Sequence, residues 1–471
     1  MNQKPNIVSI LMDDMGWTDL ACCGSNFYES PNVDRLKEQG MFFTRAYASC
    51  PVCSPTRASL MTGKYPATVG VTDWISHFGA HPCKGKLIDA PYLKHLPDGE
   101  FTIADALREG GYATWHVGKW HLGLEEHWPD KHGFDVNLGG CQWGKPRDGY
   151  WMPCNIPTLP DGPEGEHLTD RLTDEAIKLI RERDPEKPFY LNFCHYDVHH
   201  PYHFKPEHRA YFEEKMRRMG LDQIDPFEEG ECFAVEHKKD ERILRRLFHS
   251  DPVYASMIYN ADWNIGRLMA VLEEEGLMDN TLVIFTSDNG GTSSAEGSPT
   301  CNAPAREGKG WMYDGGTRVP LIAVWKGHIR PGSICNELTT TPDFYPTFLE
   351  VAGLPLRPEQ HVDGVSIKSL FEETGSLADR PIFWHYPHYG ELGGTPGSSV
   401  MYQNYKLIEF FEDMHVELYD IVNDVSESHD LSKDLPEKAE ELKKMLHAWQ
   451  ASIEAKIPEV NPDYIPPTEA N

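Results

Sequence analysis

The sequence predicts an α/β protein whose main domain is a large, mixed but mostly parallel sheet sandwiched by helices. Short apolar runs alternate with helical stretches along the 471 residues, and no internal repeat is visible. This alternation is typical of buried strands connected by helices. Five apolar runs are predicted to be buried strands of this sheet: 6–12, 112–117, 188–194, 281–286 and 319–325.

A smaller C-terminal α+β subdomain is predicted from residue 379 onward. Pro and Gly punctuate the chain near residues 353–380, which places the end of the main domain at residue 378. The runs IFWHY, YKLIEFF and VELYDIV then indicate antiparallel strands, and a helical spacing follows in Ala439, Leu442, Leu446, Trp449 and Ile453. Within the first domain, the runs EEKMRRMG and EHKKDERILRR predict a charged helical insertion at about 205–252, folded as a solvated surface hairpin.

The charge of the chain excludes several classes of partner. Its 44 basic and 73 acidic residues give a net charge of -29, which repels nucleic acid and anionic membrane surfaces. An anionic substrate would therefore need local attraction from a few cations, a metal ion or a helix N-terminus. No sequence feature indicates an oligomeric state.

The N-terminus and the cysteines bear on the cellular compartment. The first residues, MNQKPNIVSILMDD, lack the apolar core and cleavage site of a signal peptide, so the chain as given is expected to be cytoplasmic. A trimmed leader would instead make it periplasmic or secreted. No apolar stretch approaches membrane-spanning length. The eleven cysteines have no regular spacing, so most are expected to be reduced, buried and inert.

Two pairs of oxygen-bearing side chains end predicted strands. Asp13 and Asp14 follow the first strand, and Asp288 and Asn289 follow the fourth. Because ligands gather beyond the carboxyl ends of strands in an open α/β sheet, these pairs are expected to meet there. Four oxygen ligands without His or Cys suit a hard cation, and calcium tolerates irregular geometry better than magnesium. Either pair alone would be interpreted as turn residues.

The stretch CPVCSPTR places Cys53 at the start of a predicted helix. Ser54 is expected to be the N-cap and Pro55 the first helical residue, with Gly63 ending the helix. Free N–H groups at such a position favour an anion, so a thiol at Cys53 is expected to have a lowered pKa and to be reactive.

Basic groups flank the other strand ends. Lys119 and His121 follow the second strand, His199 and His200 follow the third, and Lys309 precedes the fifth. Together these cations and imidazoles supply what the hydrolysis of an anionic ester needs, namely charge neutralisation and proton transfer.

Two motifs carry a family resemblance that runs over most of the chain. The run CSPTR, continuing through ASLMTGKYP, resembles the C-x-P-x-R signature of type I sulfatases, which belong to the alkaline phosphatase superfamily. The run GYATWHVGKWHLG resembles the second signature of that family. The resemblance implies an alkaline phosphatase-like fold, and an arylsulfatase-like enzyme that hydrolyses sulfate monoesters of sugars and also aryl sulfates.

The resemblance also implies roles for individual residues. A maturation enzyme would oxidise Cys53 to formylglycine, whose hydrated aldehyde is the nucleophile and also a calcium ligand. The other ligands of one calcium ion would be Asp13, Asp14, Asp288 and Asn289. Arg57 would orient the diol, Lys119 and Lys309 would bind sulfate oxygens, and His121 and His199 would transfer protons; the assignment of His199 rests on the H-x-P form.

Three alternatives remain open on sequence alone. A phosphodiesterase or phosphonate monoester hydrolase of the same superfamily would share the nucleophile, metal and fold. The pair Cys50 and Cys53 at C-x-x-C spacing would suit a thiol redox or zinc protein, although no further zinc ligands follow nearby. A catalytically silent sugar-binding protein could keep the same fold.

Aromatic and polar side chains in predicted loops are candidates for binding a small or oligosaccharide sulfate ester. They form groups around the motif helix, around residue 145 and in the C-terminal subdomain, and they are Trp74, His77, Trp143, Lys145, Arg147, Trp151, His385, Tyr386, His388 and Tyr389. The alternative interpretation is that these rings pack at the domain junction.

Overall fold

A mixed eight-stranded sheet lies at the centre of the computed structural model, which describes residues 4–76 and 83–466. Its strands, in spatial order, are Ser333–Cys335, Met41–Phe43, Leu321–Trp325, Thr281–Ser287, Asn6–Met12, Phe189–Cys194, Ala113–Gly118 and Val136–Leu138. Only Leu321–Trp325 is antiparallel to its neighbours. The five strands predicted from the sequence are all present in this sheet.

Helices cover both faces of the sheet because successive residues of its strands point to opposite sides. Val8 and Ile10 face one hydrophobic core, whereas Ile7 and Leu11 face the other. The first core is closed by the helices Pro31–Gln39, Leu168–Arg181, Pro206–Arg218 and Pro252–Glu274. The second is closed by Cys53–Thr62, Ile103–Glu109, Phe344–Val351 and Lys368–Phe371.

Strand direction determines which loops meet at one edge. Asn6–Met12 and Thr281–Ser287 are parallel and Met12 is paired with Ser287, so the residues that follow both strands are neighbours. Leu321–Trp325 runs the opposite way, so the segment that precedes it reaches the same edge. This explains why functional candidates after four strands, and before a fifth, gather in one place.

The C-terminal subdomain is built on a four-stranded antiparallel sheet. Its strands, in order, are Ile382–Tyr386, Gly397–Tyr402, Tyr405–Phe410 and Val416–Asp420. The second strand was not predicted, because its Gly- and Ser-rich start resembles a loop. Its later residues Val400 and Met401 are fully buried, and packing of this kind overrides local propensity.

The two faces of this antiparallel sheet pack differently. The predicted terminal helix is present at Pro436–Ser452, and its Leu442 and Leu446 pack on one face. Trp384 and Ile408 on the other face join a core with Trp311, which precedes the helix Asp314–Thr317. The division of the chain at residues 378 and 379 stays a prediction.

The predicted helical insertion is only partly helical. Pro206–Arg218 forms a helix, but Phe227–Cys232 and Arg242–Arg246 pair as an antiparallel hairpin. Ile243 of the hairpin is fully buried, so this segment is also less solvated than the sequence predicts. Two-residue strands complete the fold as the pairs Ala46–Tyr47 with Thr339–Thr340 and Leu87–Ile88 with Glu459–Val460, and a short helix spans Pro66–Val69.

The described residues contain no helix with the length and apolarity needed to cross a membrane. All eleven cysteines lie in the described part of the chain, and none of them forms a disulfide. Seven of them are buried, as the sequence predicts.

Candidate active site

A cluster of buried oxygen-bearing side chains lies at the carboxyl edge of the central sheet. Ligand atoms of Asp13, Asp14 and Asp288 all lie within 4.8 Å of one another. The strand ends hold them there, since the Asp288 N–H donates to the Met12 carbonyl and the Asp14 N–H donates to Asp288 Oδ1. The two predicted pairs of strand-end residues are therefore brought together.

This cluster fits a hard divalent cation. All three carboxylates are at most 2% exposed, so their combined charge has little access to water. Asn289 donates through Nδ2 to Asp14 Oδ1, while its own Oδ1 is buried without a hydrogen-bond partner among the described residues. Three carboxylates and one unpaired amide oxygen are the donor set that calcium prefers.

Three cationic side chains surround the carboxylates. Arg57 Nε lies 2.8 Å from Asp288 Oδ2, and Lys119 Nζ lies 2.7 Å from Asp13 Oδ2. Lys309 Nζ lies 2.7 Å from Asp14 Oδ2. Each of the three predicted cations therefore contacts a carboxylate of the cluster.

Burial and charge act in opposite directions on these carboxyl groups. Burial raises the pKa of Asp13 well above its ordinary value, despite the attraction of Lys119. Burial also acts to raise the pKa of Asp288, but the charges of Arg57 and Lys119 outweigh it and lower that pKa. The cluster therefore holds negative charge in a region of low dielectric, which favours a bound cation.

Cys53 lies beside His121 at the start of the helix Cys53–Thr62. Its Sγ lies 3.4 Å from His121 Nδ1, and His121 Nε2 lies 2.8 Å from the Ile75 carbonyl oxygen. The second contact requires a proton on Nε2, so in the neutral imidazole Nδ1 is an acceptor that faces position 53. His121 is therefore oriented to accept a proton from a group at this position.

Two predictions about this helix start are wrong. The N-cap is Val52, and Ser54 lies inside the helix, where its hydroxyl donates to the His121 carbonyl and accepts from the Ile75 N–H. The pKa of the Cys53 thiol is raised rather than lowered, because burial outweighs the charge of Lys119. Gly63 does end the helix, in the left-handed conformation.

His199 lies beside Lys309 and Asp14. Its Nδ1 lies 2.8 Å from the His200 carbonyl oxygen, and its Nε2 lies 3.2 Å from Lys309 Nζ and 3.6 Å from Asp14 Oδ2. Burial lowers the pKa of His199 well below its ordinary value, and the charge of Lys309 lowers it further.

An open cleft of about 330 Å³ leads to Cys53, His121, His199 and Lys309. Of the predicted substrate-binding residues, Trp74, Trp143 and Arg147 line it, and the Arg147 guanidinium stacks over the Trp143 ring at 4.9 Å. The C-terminal subdomain contributes Tyr386, Gly390, Glu391 and Leu392.

Two predicted substrate-binding histidines lie away from this cleft, and Trp151 and Tyr389 do not line it either. His385 is buried between the Ser398 hydroxyl and the Lys456 carbonyl, at 2.5 and 2.8 Å. His388 is fully buried, with Nε2 2.9 Å from the Thr72 hydroxyl. Both imidazoles belong to the packed interior, so the prediction that they reach the substrate is wrong. His77 lies outside the described residues.

One cleft residue that sequence reasoning missed is Glu296. Its carboxylate lies 2.9 Å from His200 Nδ1, and His200 Nε2 lies 2.6 Å from Lys145 Nζ. Burial alone would raise the pKa of Glu296, but Lys309 and His200 lower it to about 2. Glu296 follows Gly290-Gly291 in an irregular loop, and its nearness to the end of the fourth strand was the only available signal.

Comparison with known proteins identifies the family. A family model described as Sulfatase matches residues 5–354, which is most of the chain. The chain belongs to the sulfatase family. A second model, described as N-sulphoglucosamine sulphohydrolase, C-terminal, matches residues 307–455 of this sulfatase. The sulfatase is accordingly a sulfuric ester hydrolase, and the interpretation of Cys50-x-x-Cys53 as a redox or zinc motif is superseded.

Individual relatives extend over most of this sulfatase. It is 31% identical to a sulfatase of Formosa agariphila, covering 95% of this chain and 89% of the relative. It is 32% identical to human N-acetylgalactosamine-6-sulfatase, covering 81% and 68%. Among solved structures, Ps i-CgsB in complex with k-i-k-neocarrahexaose superposes with a TM-score of 0.76 at 28% identity, covering 95% and 93%. The alkaline phosphatase-like fold of the sulfatases is thereby confirmed.

Proposed function

We propose that this sulfatase hydrolyses sulfate monoesters of sugars, with a formylglycine generated from Cys53 as its nucleophile. The observation that carries the proposal is the position of Cys53. It lines the cleft with His121 Nδ1 3.4 Å away, and it is close enough to the cluster for the charges of Asp13 and Asp288 to raise its pKa. A nucleophile, a proton acceptor, a candidate metal site and an entry for substrate are thus adjacent.

The cluster would hold one calcium ion through Asp13, Asp14, Asp288 and Asn289, with residue 53 as a further ligand. When bound, calcium would supply positive charge that stabilises the negative charge developing on the sulfuryl oxygens. Lys119 and Lys309 would donate hydrogen bonds to those oxygens, since both ammonium groups already lie at the edge of the cluster. Arg57 would hold the diol at position 53 in orientation.

The first chemical step would transfer the sulfuryl group to residue 53. One hydroxyl of the hydrated aldehyde would give its proton to a carboxylate of the cluster and attack sulfur in line. A new S–O bond would form as the bond from sulfur to the sugar oxygen breaks. The departing alkoxide needs a proton, and His199 at the cleft wall would donate it. Because burial and the charge of Lys309 lower the pKa of His199 in the free enzyme, the negative charge of the bound substrate would have to raise that pKa for His199 to carry the proton it donates.

The second step would release sulfate without further attack at sulfur. His121 Nδ1, which faces position 53, would accept the proton of the remaining hydroxyl. The carbon then forms a carbonyl and its bond to the sulfated oxygen breaks, so sulfate leaves and the aldehyde is restored. Addition of water regenerates the diol.

Sugar sulfates are proposed as substrates because of the cleft walls. Trp74, Trp143 and Tyr386 present aromatic rings, and Lys145 and Arg147 present cations, in a cavity of about 330 Å³. Aromatic faces with a few polar groups suit a saccharide that carries anionic substituents. The names of two relatives, N-acetylgalactosamine-6-sulfatase and the structure solved with neocarrahexaose, support the same substrate class.

Mass spectrometry with two variants of Cys53 tests the nucleophile. We expect the active enzyme to carry an aldehyde in place of the CH2SH group at position 53. Cys53→Ala should abolish turnover because the nucleophile is deleted. Cys53→Ser should stall as a sulfated ester after at most one slow turnover, because a serine has no second hydroxyl with which to expel sulfate. Intact-protein mass spectrometry detects both the aldehyde and the adduct.

Two results would contradict this mechanism. One is a Cys53→Ser variant that turns over steadily, and the other is a fully active parent whose Cys53 is entirely thiol. Matched aryl sulfate, phosphate monoester and phosphate diester substrates separate a sulfatase from the phosphodiesterase alternative, since this proposal requires the sulfate to be hydrolysed fastest.

Arg147→Ala tests the assignment of the substrate class. Loss of a cation that is stacked on Trp143 should raise KM for a sulfated disaccharide by about tenfold or more, as expected for about 1.4 kcal/mol of lost binding. Hydrolysis of a small aryl sulfate should change far less. Arg209→Ala, at an exposed helix position, is the matched control. Equal losses on both substrates would indicate a structural role for Arg147.

A further inference from the structure

A second group of buried ligand atoms lies outside the active site. Oxygen atoms of Asp73 and Asp89 and one ring nitrogen of His388 all lie within 4.8 Å of one another. Asp73 is 5% exposed and His388 is fully buried. A separate cavity of about 470 Å³, lined by both carboxylates, Cys83 and Lys94, gives access from solvent. The catalytic mechanism uses none of these groups.

Neighbouring residues hold the two carboxylates in place. Asp73 Oδ1 accepts hydrogen bonds from the Trp74 N–H and the Tyr386 hydroxyl, at 2.8 and 3.0 Å. The two oxygens of Asp89 accept from the N–H groups of Tyr389 and Cys83, at 2.8 and 3.0 Å. The carboxylates are thus fixed side by side, although burial opposes their charge and raises the pKa of Asp73 to about 7 and that of Asp89 to about 8.

His388 gives an independent indication of a ligand. Its Nε2 is hydrogen-bonded to the Thr72 hydroxyl, whereas its Nδ1 is buried with no hydrogen-bond partner in the described part of the chain. The nearest carboxylate oxygen, Asp89 Oδ2, is 3.9 Å from Nδ1, which is too long for a hydrogen bond. In the tautomer whose Nε2–H donates to Thr72, Nδ1 is an unpaired acceptor 3.9 Å from Asp89 Oδ2, and a cation shared by the two atoms would satisfy both of them.

We propose that Asp73, Asp89 and His388 bind a divalent first-row transition ion, for which zinc is the test ion. Two carboxylates and one imidazole match the ligand preferences of such ions, whereas calcium rarely accepts nitrogen. Two ligands that are each about 2.1 Å from one metal are separated by about 3 to 4 Å, so the 3.9 Å gap suits a shared ion. The hydrogen bond between Nε2 and the Thr72 hydroxyl would be the outer contact that orients a metal-binding histidine.

The position of this site suggests what it does for the enzyme. Asp73 precedes the cleft residue Trp74, and His388 lies between Tyr386 and the cleft residues Gly390, Glu391 and Leu392. An ion shared by Asp73, Asp89 and His388 would therefore tie the C-terminal wall of the cleft to the wall that follows the motif helix. The ion would fix the positions of the cleft walls without contacting the reacting atoms.

Zinc binding to the full-length protein tests the site. The protein is stripped with a chelator, reloaded with excess calcium and titrated with zinc, and bound metal is measured by mass spectrometry. We expect about one equivalent of zinc to bind in the presence of calcium. Asp89→Asn and His388→Gln should each weaken zinc binding at least about tenfold. Asp288→Asn, which alters only the calcium cluster, should leave zinc binding unchanged.

A spectroscopic measurement complements the titration. Cobalt in place of zinc should give visible absorption bands that are present in the parent and lost in His388→Gln. His385→Gln, a buried imidazole on the same segment but outside the cluster, is the matched control and should keep them. The proposal is overturned if the parent binds no zinc beside calcium, or if Asp89→Asn binds zinc like the parent. These outcomes do not depend on sulfatase activity, so they separate this site from the proposed catalytic one.

Discussion

Arg57 joins the motif helix to the candidate metal cluster. Its guanidinium lies 2.7 Å from Asp288 Oδ2 and donates at 2.9 Å to the Lys119 carbonyl, while its side chain is only 3% exposed. Removing the charge of one partner of a buried ion pair costs about 3 to 5 kcal/mol when the other charge stays behind. Substitution of Asp288 by Ala would therefore disturb the fold as well as the metal site.

Asp288→Asn is the sharper test of the calcium site. The variant keeps the size of the side chain and one acceptor oxygen for Arg57, but it removes a charged ligand from the cluster. We expect kcat to fall by about 100-fold or more, because charge stabilisation in the transition state is lost. Activity with increasing calcium, together with bound calcium after dialysis, measures the effect. Exhaustive chelation should likewise abolish the activity of the parent enzyme, and added calcium should restore that activity.

Asp262→Asn is the matched control for this experiment. Asp262 is also a buried carboxylate, but it accepts from the N–H groups of Asn32 and Val33 at the start of a helix, away from the cluster. It should lower stability without changing calcium dependence. The calcium assignment is wrong if Asp288→Asn binds calcium as tightly as the parent, or if chelation leaves turnover unchanged.

The sequence predicted the positions of site residues that directly follow regular strands. It did not predict properties of single residues that depend on burial. Asp13, Asp14 and Asp288 could be placed because strand ends meet at one edge. The direction of the pKa shift of the Cys53 thiol could not be predicted, because it depends on how deeply the thiol is buried, and a helix start in the sequence does not reveal that. His388 was misassigned for the same reason, because a buried and an exposed histidine look alike in sequence.

The helix Cys53–Thr62 is held by its C-terminal end as well as by its motif. Gly63 has a φ of 69°, and a Cβ added there would lie 2.5 Å from His361 Cβ and 2.9 Å from Tyr345 Cβ. Both contacts are shorter than side-chain carbons tolerate, so the helix end is fixed against the segment that contains His361. The position of Cys53 at the other end depends on that anchor.

Gly63→Ala should destabilise the protein through two separable effects. The left-handed backbone conformation costs a non-glycine residue about 1 kcal/mol or more, and the overlap with His361 and Tyr345 adds about 1 to 3 kcal/mol. Gly353→Ala is the control, because Gly353 has a φ of 63° after another helix but no atom within 4 Å of the added Cβ. Urea unfolding measures both variants. Equal losses of unfolding free energy in the two variants would show that the contacts with His361 and Tyr345 do not add to the cost of Gly63→Ala.

Strands with a continuous apolar run were predictable from the sequence, and strands without one were not. Five of the eight strands of the central sheet were predicted from their apolar runs, whereas the three-residue strands Met41–Phe43, Val136–Leu138 and Ser333–Cys335 were not. The strand Gly397–Tyr402 was missed because Gly and Ser at its start indicate a loop. This segment forms a strand because it pairs with Ile382–Tyr386 on one side and with Tyr405–Phe410 on the other. Such pairing is non-local, so a short window of sequence does not contain it.

At the scale of the whole molecule, a buried charge cluster joins the two predicted domains. Lys406 on the antiparallel sheet is fully buried, and its Nζ lies 2.9 Å from both Asp314 Oδ1 and Glu427 Oε1. The Asp314 N–H also donates to Glu427 Oε2 at 2.7 Å. Asp314 closely follows Lys309 along the chain, so this cluster ties the C-terminal subdomain to the loop that forms the active site.

The cluster contains two carboxylates and one ammonium group within hydrogen-bonding distance, and this balance makes it sensitive to pH. Burial raises the pKa of Glu427 from 4.5 to about 7, although Lys406 opposes the increase. Between these two values the folded protein keeps a proton on Glu427 that the unfolded chain has lost. The free energy of unfolding therefore decreases as the pH rises from 4.5 to 7, and the contribution is fully present only below 4.5.

Glu427→Gln should remove this pH dependence, because the amide stays neutral at every pH. The variant loses some stability throughout, since its one amide oxygen cannot replace both carboxylate oxygens, which accept from Lys406 and from the Asp314 N–H. The stability of the parent relative to the variant should nevertheless fall by about 3 kcal/mol between pH 4.5 and pH 7. Calorimetric melting temperatures across this range measure the difference.

Glu440→Gln, at an exposed helix position, is the control and should have the same stability as the parent at each pH. A constant difference between parent and Glu427→Gln would mean that Glu427 is ionised throughout, and that Lys406 compensates its charge despite the burial.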